Sequence, residues 1–216
     1  MQHCPIAFGQ RKSGGCLFIR TRPPTPACIL NINPCLPNLK MRVGQILRNR
    51  YKILRELGSG AFGDTYLAED RDLPGMPQCV VKRLKANPDP VAGQIVKRLF
   101  DLEAKKLYEL GQKCDRIPKL FAHFEEDGQF YLVQEWIDGQ VLDGEIVPGK
   151  AFGESYVRQL VRDTLDVLAV VHSYKAIHRD ISPKNLIRRR SDNKIVLIDF
   201  GAVKELGNME VNSQGQ

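Results

Sequence analysis

The sequence predicts an α+β protein in which a small antiparallel sheet carries one helix and is followed by a mainly helical part. Three observations carry that reading. Between residues 51 and 135, short runs rich in β-branched and aromatic residues alternate with glycine-bearing turns. A helical period interrupts them at 92–111. A second long helical period follows at 154–174.

Tyr51-Lys52-Ile53-Leu54-Arg55-Glu56-Leu57 reads as the first strand, Thr65-Tyr66-Leu67-Ala68 as the second and Cys79-Val80-Val81-Lys82-Arg83-Leu84 as the third. Helix 92–111 follows, with Ile95, Leu99, Leu102, Leu107 and Leu110 as its apolar stripe. Strands near 119–124 and 129–135 are joined by Glu126-Asp127-Gly128. In helix 154–174 the stripe is Val157, Leu160, Val161, Leu165, Leu168 and Val171. A polar loop and a short hairpin close the pattern, with Ile195-Val196-Leu197-Ile198 as the buried strand.

Ahead of these elements, residues 1–40 hold six of the 13 prolines and no sustained period, which predicts a disordered leader. Met41 opens a segment that runs straight into regular structure. The net charge of +7 is uneven: residues 1–55 contain ten Lys/Arg and no Asp or Glu, leaving 22 Lys/Arg against 25 Asp/Glu beyond. The basic leader reads as a solvated tail, because it lacks the interleaved aromatics of a single-strand binder, and no nucleic-acid partner is expected. Cys4, Cys16, Cys28 and Cys35 invite a zinc reading. Their gaps of eleven, eleven and six residues lack the close pairs a zinc site uses, so free thiols are expected. No apolar run approaches the ~18 residues of a membrane span, and no secretory signal is evident; the expected setting is cytoplasmic.

Four motifs carry chemistry. Gly58-Ser59-Gly60-Ala61-Phe62-Gly63 is weak evidence alone. A dinucleotide site needs a helix directly after the glycines, whereas strand formers follow here, so the loop tips a hairpin and lets backbone approach phosphate. Lys82 lies in an apolar strand and Glu103 on the helix 21 residues later, beside the apolar stripe. Alone, they would read as an edge charge and a solvated helix face. His178-Arg179-Asp180-Ile181-Ser182-Pro183-Lys184-Asn185 brings Asp180, suited to accept a hydroxyl proton, near Asn185, whose amide oxygen suits a magnesium ion. Asp199-Phe200-Gly201 follows the last strand and offers the hard carboxylate that magnesium prefers.

In this order the motifs resemble those of eukaryotic-type (Hanks-type) protein kinases. Ala61 to Asp70, Phe130 to Glu135 and Val196 to Lys204 are most similar to cyanobacterial serine/threonine kinases. The resemblance covers roughly 44–216. It implies a two-lobed fold, with a five-stranded sheet and one helix over about 48–137 and a mainly helical lobe over about 138–216. It implies ATP and magnesium as cofactors and a protein Ser/Thr hydroxyl as acceptor. Asp180 would be the base and Lys82, paired with Glu103, a phosphate ligand. Asn185 and Asp199 would hold the metal. Leu57, Gly58, Ser59, Gly60, Ala61, Phe62, Gly63, Thr65, Val80, Glu135 and Ile137 would surround the nucleotide. Leu107, Leu120, His178 and Phe200 would stack between the lobes.

Three departures stand out. Thr65 occupies the position of the usual valine over the adenine. Ser182 stands where the family usually has a lysine for the γ-phosphate, and the sequence leaves open whether Lys184 reaches instead. The chain ends 15 residues after Gly201, without an A-P-E motif. That predicts an N-terminal portion of the domain, with apolar surface on helix 154–174 needing a missing lobe or a partner. Two other readings stay open: a small-molecule phosphotransferase of the aminoglycoside or choline kinase type, and a non-catalytic nucleotide-binding module.

Overall fold

The computed structural model describes residues 40–60, 63–84 and 89–205. Most of the expected leader, Ala61, Phe62 and the last eleven residues, 206–216, lie outside the described residues.

The alternating runs form β1 (Ile46–Leu47), β2 (Tyr51–Ser59), β3 (Gly63–Asp70), β4 (Gln78–Leu84), β5 (Leu120–Glu126) and β6 (Gln129–Glu135). They make one antiparallel sheet in the order β1-β2-β3-β4-β6-β5. The five long strands are those the sequence predicts, and the two-residue β1 adds an edge. Between β4 and β5 runs α1 (Pro90–Gly111), started by Pro90 and by the Asp89 carboxylate, which accepts the Val91 N–H at 3.0 Å.

The second part begins with the short strand β7 (Gly139–Val141), followed by α2 (Glu154–Ser173), β8 (Ala176–Ile177), β9 (Leu186–Arg189), β10 (Ile195–Leu197) and β11 (Lys204–Glu205). β10, β9 and β7 form one small sheet, and β11 pairs with β8. β10 stops one residue short of the end expected at Ile198. The Ile198 N–H donates instead to the Asn185 carbonyl at 2.9 Å, which bends the chain toward the loop before β9.

Strand alternation splits the sheet residues between two cores. Met41, Tyr51, Ile53, Tyr66, Ala68, Cys79, Val81, Phe124, Tyr131 and Val133 pack on one face. Leu84 and Leu132 join the other core with α1, α2, Ile195, Leu197 and Phe200. One continuous apolar cluster therefore runs from the sheet into the second part, and Val80 and Lys82 share the face of β4 that looks toward it.

Both helices bury part of the expected stripe and leave the rest exposed. On α1 the buried face is Phe100, Glu103, Ala104, Leu107 and Leu110, while Ile95 and Leu99 are exposed. On α2, Val167 and Val171 are buried and Leu160, Leu168 and Val170 pack partly, whereas Val157, Val161 and Leu165 are exposed. Each sequence carries two overlapping apolar rows, and the inward row includes a carboxylate. The inward Asp163 is tolerated because the Gln159 amide donates to it at 2.9 Å.

The open end of the β2–β3 hairpin is clamped by Arg50, whose guanidinium gives two 2.7 Å hydrogen bonds to the buried Asp70 carboxylate. Those bonds hold the Asp70 carboxyl below its ordinary range, against the opposing effect of burial. A depressed carboxylate stabilises the fold above its ordinary pKa, and that stability is lost as pH falls through the lowered folded value. Asp70→Asn should therefore lower stability by about 1–3 kcal/mol at neutral pH. Urea melts of the two proteins should begin to converge as pH falls below the ordinary aspartate value of about 3.9 and should meet once it falls below the lowered folded value; a gap that persists there would contradict the clamp.

Candidate active site

A cleft of about 440 Å³ lies between the sheet and the second part. Leu57, Gly58, Thr65, Val80 and Lys82 line it from the sheet, Glu135 and Ile137 from the connection, and Lys184, Asn185 and Asp199 from below. Sequence reasoning missed Val141 and Ile187, which face the same space. Ile187 lies two residues beyond Asn185 on β9, so the period of two was an available signal.

The Lys82 ammonium is the centre of the site. It donates to Glu103 Oε1 at 2.7 Å and to Asp199 Oδ1 at 2.6 Å. Burial alone would depress Lys82, but the two carboxylates outweigh it and push it up to about 12. Burial raises the Glu103 carboxyl, while Lys82 draws Asp199 below its ordinary range in spite of burial. Glu103 reaches Lys82 because it sits on the inward row of α1, with Ala104 and Leu107 anchoring that turn in the core.

Below the cleft, His178 is buried and burial lowers its pKa, which favours a neutral ring. Its Nδ1 accepts the Asp180 N–H at 3.3 Å, so its Nε2–H donates to the Ile198 carbonyl at 3.1 Å. The ring also meets Phe200 edge-on at 5.0 Å. Leu107 and Phe200 belong to the continuous core, with Leu120 packed against it. The Asn185 amide donates to the Asp180 carboxylate at 2.8 Å and to its carbonyl at 2.9 Å. That leaves the Asn185 amide oxygen for a cation. Asn185 and Asp199, both lining the cleft, form a hard-oxygen pair of the kind magnesium takes together with phosphate oxygens and water. Arg179 and Asp199 hold left-handed backbone, with φ of 67° and 65°. Ser182 is turned away, toward a small apolar pocket beside α2, whereas Lys184 lines the main cleft.

The glycine loop is tied at its root. Ser59 Oγ donates to Asp64 at 2.6 Å, and the same buried carboxylate accepts from Arg83 at 2.5 Å. The Gly60 N–H donates to the Gly63 carbonyl at 2.8 Å. A Cβ on Gly63 would lie 2.2 Å from the Arg83 carbonyl oxygen, while one on Gly58 would meet nothing within 4 Å. Gly63 is thus required by strand packing, and Gly58 faces open space.

Residues 51–215 match the family model described as protein kinase domain. The chain belongs to the protein kinase family. This kinase-family chain is 46% identical over 172 residues to serine/threonine-protein kinase PknA of Nostoc sp., covering 79% of this chain and 30% of that protein. Serine/threonine-protein kinase B of Synechocystis sp. is 45% identical over 182 residues, 83% of this chain and 32% of the relative. The kinase-family chain thus spans about a third of the length of these curated relatives. A solved kinase domain, 19% identical, superposes with a TM-score of 0.64 over 79% of this chain and 56% of its own, which bears on the fold. Among the described residues, no helix is long and apolar enough to cross a membrane.

The two glycines should respond differently to a methyl group. Gly63→Ala is expected to destabilise by about 1–3 kcal/mol through overpacking against β4. Gly58→Ala is expected to stay within about 0.5 kcal/mol. Thermal melts of both variants check this; equal shifts would contradict the assigned contacts.

Proposed function

We propose that this chain binds ATP with magnesium in the cleft and is built to transfer the γ-phosphoryl group to serine or threonine hydroxyls of proteins in the cytoplasm. The observation that carries the reading is the shared ammonium of Lys82, held between Glu103 and Asp199 on the wall of a cleft that also presents Asn185. The resemblance to serine/threonine kinases of Nostoc and Synechocystis supports the choice of substrate class.

In this reading Leu57, Val80, Ile137 and Ile187 sandwich the base, and Lys82 binds the phosphates. Gly58 leaves room for phosphate to approach the loop backbone. Asn185 and Asp199 hold magnesium, which supplies neutralisation of phosphate charge. Asp180 orients the acceptor hydroxyl and takes its proton as the hydroxyl oxygen bonds to the γ-phosphorus. The bond from that phosphorus to the β–γ bridging oxygen breaks, and ADP leaves. Asn185, bonded to the Asp180 carboxylate, keeps the base and the metal ligand in one frame. Lys184 supplies the cation on the γ-phosphate that Ser182 cannot.

One observation favours a second reading, nucleotide binding without efficient transfer. Ser182, turned toward the small pocket beside α2, places no cation where the family usually has one, and losing that charge would slow transfer.

A fluorescent ATP analogue titrated with magnesium separates the outcomes. Lys82→Ala should weaken binding about tenfold or more, because it removes the cation from a desolvated charge network. Asp180→Asn should bind normally and lower phosphate transfer to a generic basic protein by about 10²–10⁴. Equal, magnesium-independent binding by wild type and Lys82→Ala would refute the nucleotide site. Binding with no transfer even by the wild type would select the second reading.

A further inference from the structure

The glycine loop and the lysine beneath it are carried by neighbouring strands. Across β2, β3 and β4, Gly58 pairs with Thr65 and Thr65 with Lys82, and all three line the cleft. The next row, Ser59, Asp64 and Arg83, therefore faces the other side of the sheet. There Asp64 and Arg83 are both buried, and a guanidinium N–H donates to one Asp64 oxygen at 2.5 Å. Such a pair is held to a narrow geometry, because either charge alone would be costly in that place. Arg83 is fixed in turn by its strand, which runs between β3 and β6 and sets it opposite Tyr131. Ser59 is exposed, yet its hydroxyl donates to the other Asp64 oxygen at 2.6 Å. β2 has particular need of that bond. Its pairing with β3 shifts register between Ile53 and Arg55 and again between Glu56 and Gly58, so the backbone ladder is irregular just before the loop. Beyond Ser59, the Gly60 N–H continues the closure with its 2.8 Å bond to the Gly63 carbonyl.

We propose that Ser59 and Asp64 are positioning residues for the nucleotide phosphates: the buried Asp64–Arg83 pair grips the Ser59 hydroxyl from behind the sheet and sets how far the loop backbone stands from Lys82. Arg83 follows Lys82 in the chain, so the grip and the phosphate ligand sit on opposite faces of one strand. Once the Ser59 bond is lost, the nucleotide itself has to order the loop, at a cost in affinity. That cost falls on the phosphates, which the loop covers. It spares the base, which lies against Val80, Ile137 and Ile187. The Ser59 and Asp64 side chains are not among those lining the cleft, and both act through the backbone of 58–60. The proposal rests on the nucleotide reading for its binding readout and on hydrogen exchange for its structural one.

Ser59→Ala, an exposed change that leaves the Asp64–Arg83 pair in place, tests this on the full chain. The Kd for the fluorescent ATP analogue with magnesium should rise about fivefold, a coupling of ordinary size between separated groups. The Ki of adenosine, measured by displacement of that analogue, should move less than about twofold. Ser59→Thr keeps the hydroxyl and should restore the wild-type Kd. A hydroxyl with a purely structural part would shift the melting temperature and leave the ratio of ATP to adenosine affinity unchanged, which would overturn the proposal. An ATP loss that Ser59→Thr does not recover would overturn it as well. Hydrogen exchange reads the same tie without nucleotide. Amides at the loop end of β2, residues 57–60, should exchange several-fold faster in Ser59→Ala, while those of 51–53 stay unchanged. If wild type binds no nucleotide, the nucleotide reading fails and exchange alone decides: unchanged protection at 57–60 overturns the grip.

Discussion

A single ammonium group, that of Lys82, must be neutralised in a largely desolvated place, and much of the architecture follows from that requirement. A lysine on the inward face of β4 is tolerable only if carboxylates arrive from elsewhere. One comes from α1 and the other from the turn after β10, at 2.7 and 2.6 Å. Three elements distant in sequence therefore have to meet at one atom. The continuous apolar core supplies their alignment: Leu84 beside Lys82, Ala104 and Leu107 beside Glu103, and Phe200 beside Asp199 all belong to it. Packing places the charges, and the charges select among the packings.

The floor of the cleft is organised by a second set of polar ties. Neutral His178 links the Asp180 backbone to the Ile198 carbonyl, and the Asn185 carbonyl accepts from the Ile198 N–H. Asp180, Asn185 and, through its neighbour Ile198, Asp199 are thereby fixed to one another by a chain of hydrogen bonds. The left-handed backbone at Arg179 and Asp199 is sustained within that frame. Arg179 Nε donates to the Ala202 carbonyl at 2.7 Å, which ties the same loop to the segment beyond Asp199.

Much of this was legible in the sequence. Alternation in 51–57, 65–68 and 79–84 located the strands. The position of Glu103 beside an apolar row, at a distance of 21 residues from Lys82, pointed to the pair that the structure joins. The rotational setting of the helices was only partly legible: Leu107, Leu110 and Val171 were expected inside and lie there. Ile95 and Leu99 are as apolar as Phe100, and only tertiary packing decides which of them turns inward; the presence of Glu103 on the inward row made that row look less apolar than it is. Val157, Val161 and Leu165 misled in the same way on α2. The uses of the glycines were also hidden, since Gly63 answers to the Arg83 carbonyl across the sheet and Gly58 to empty space. The position of Lys184 on the cleft wall, with Ser182 turned toward a different pocket, depends on how the short turn Pro183–Asn185 is set in the fold, which its sequence does not show.

The most direct test of the central claim is a crystal structure of the chain with a non-hydrolysable ATP analogue and manganese in place of magnesium. The account predicts an anomalous manganese peak bound by the Asp199 carboxylate and the Asn185 amide oxygen. It also predicts Lys82 Nζ within hydrogen-bond distance of a phosphate oxygen while the contact to Glu103 is kept. Manganese or phosphate ordered elsewhere, with Lys82 still bound only to Glu103 and Asp199, would contradict it.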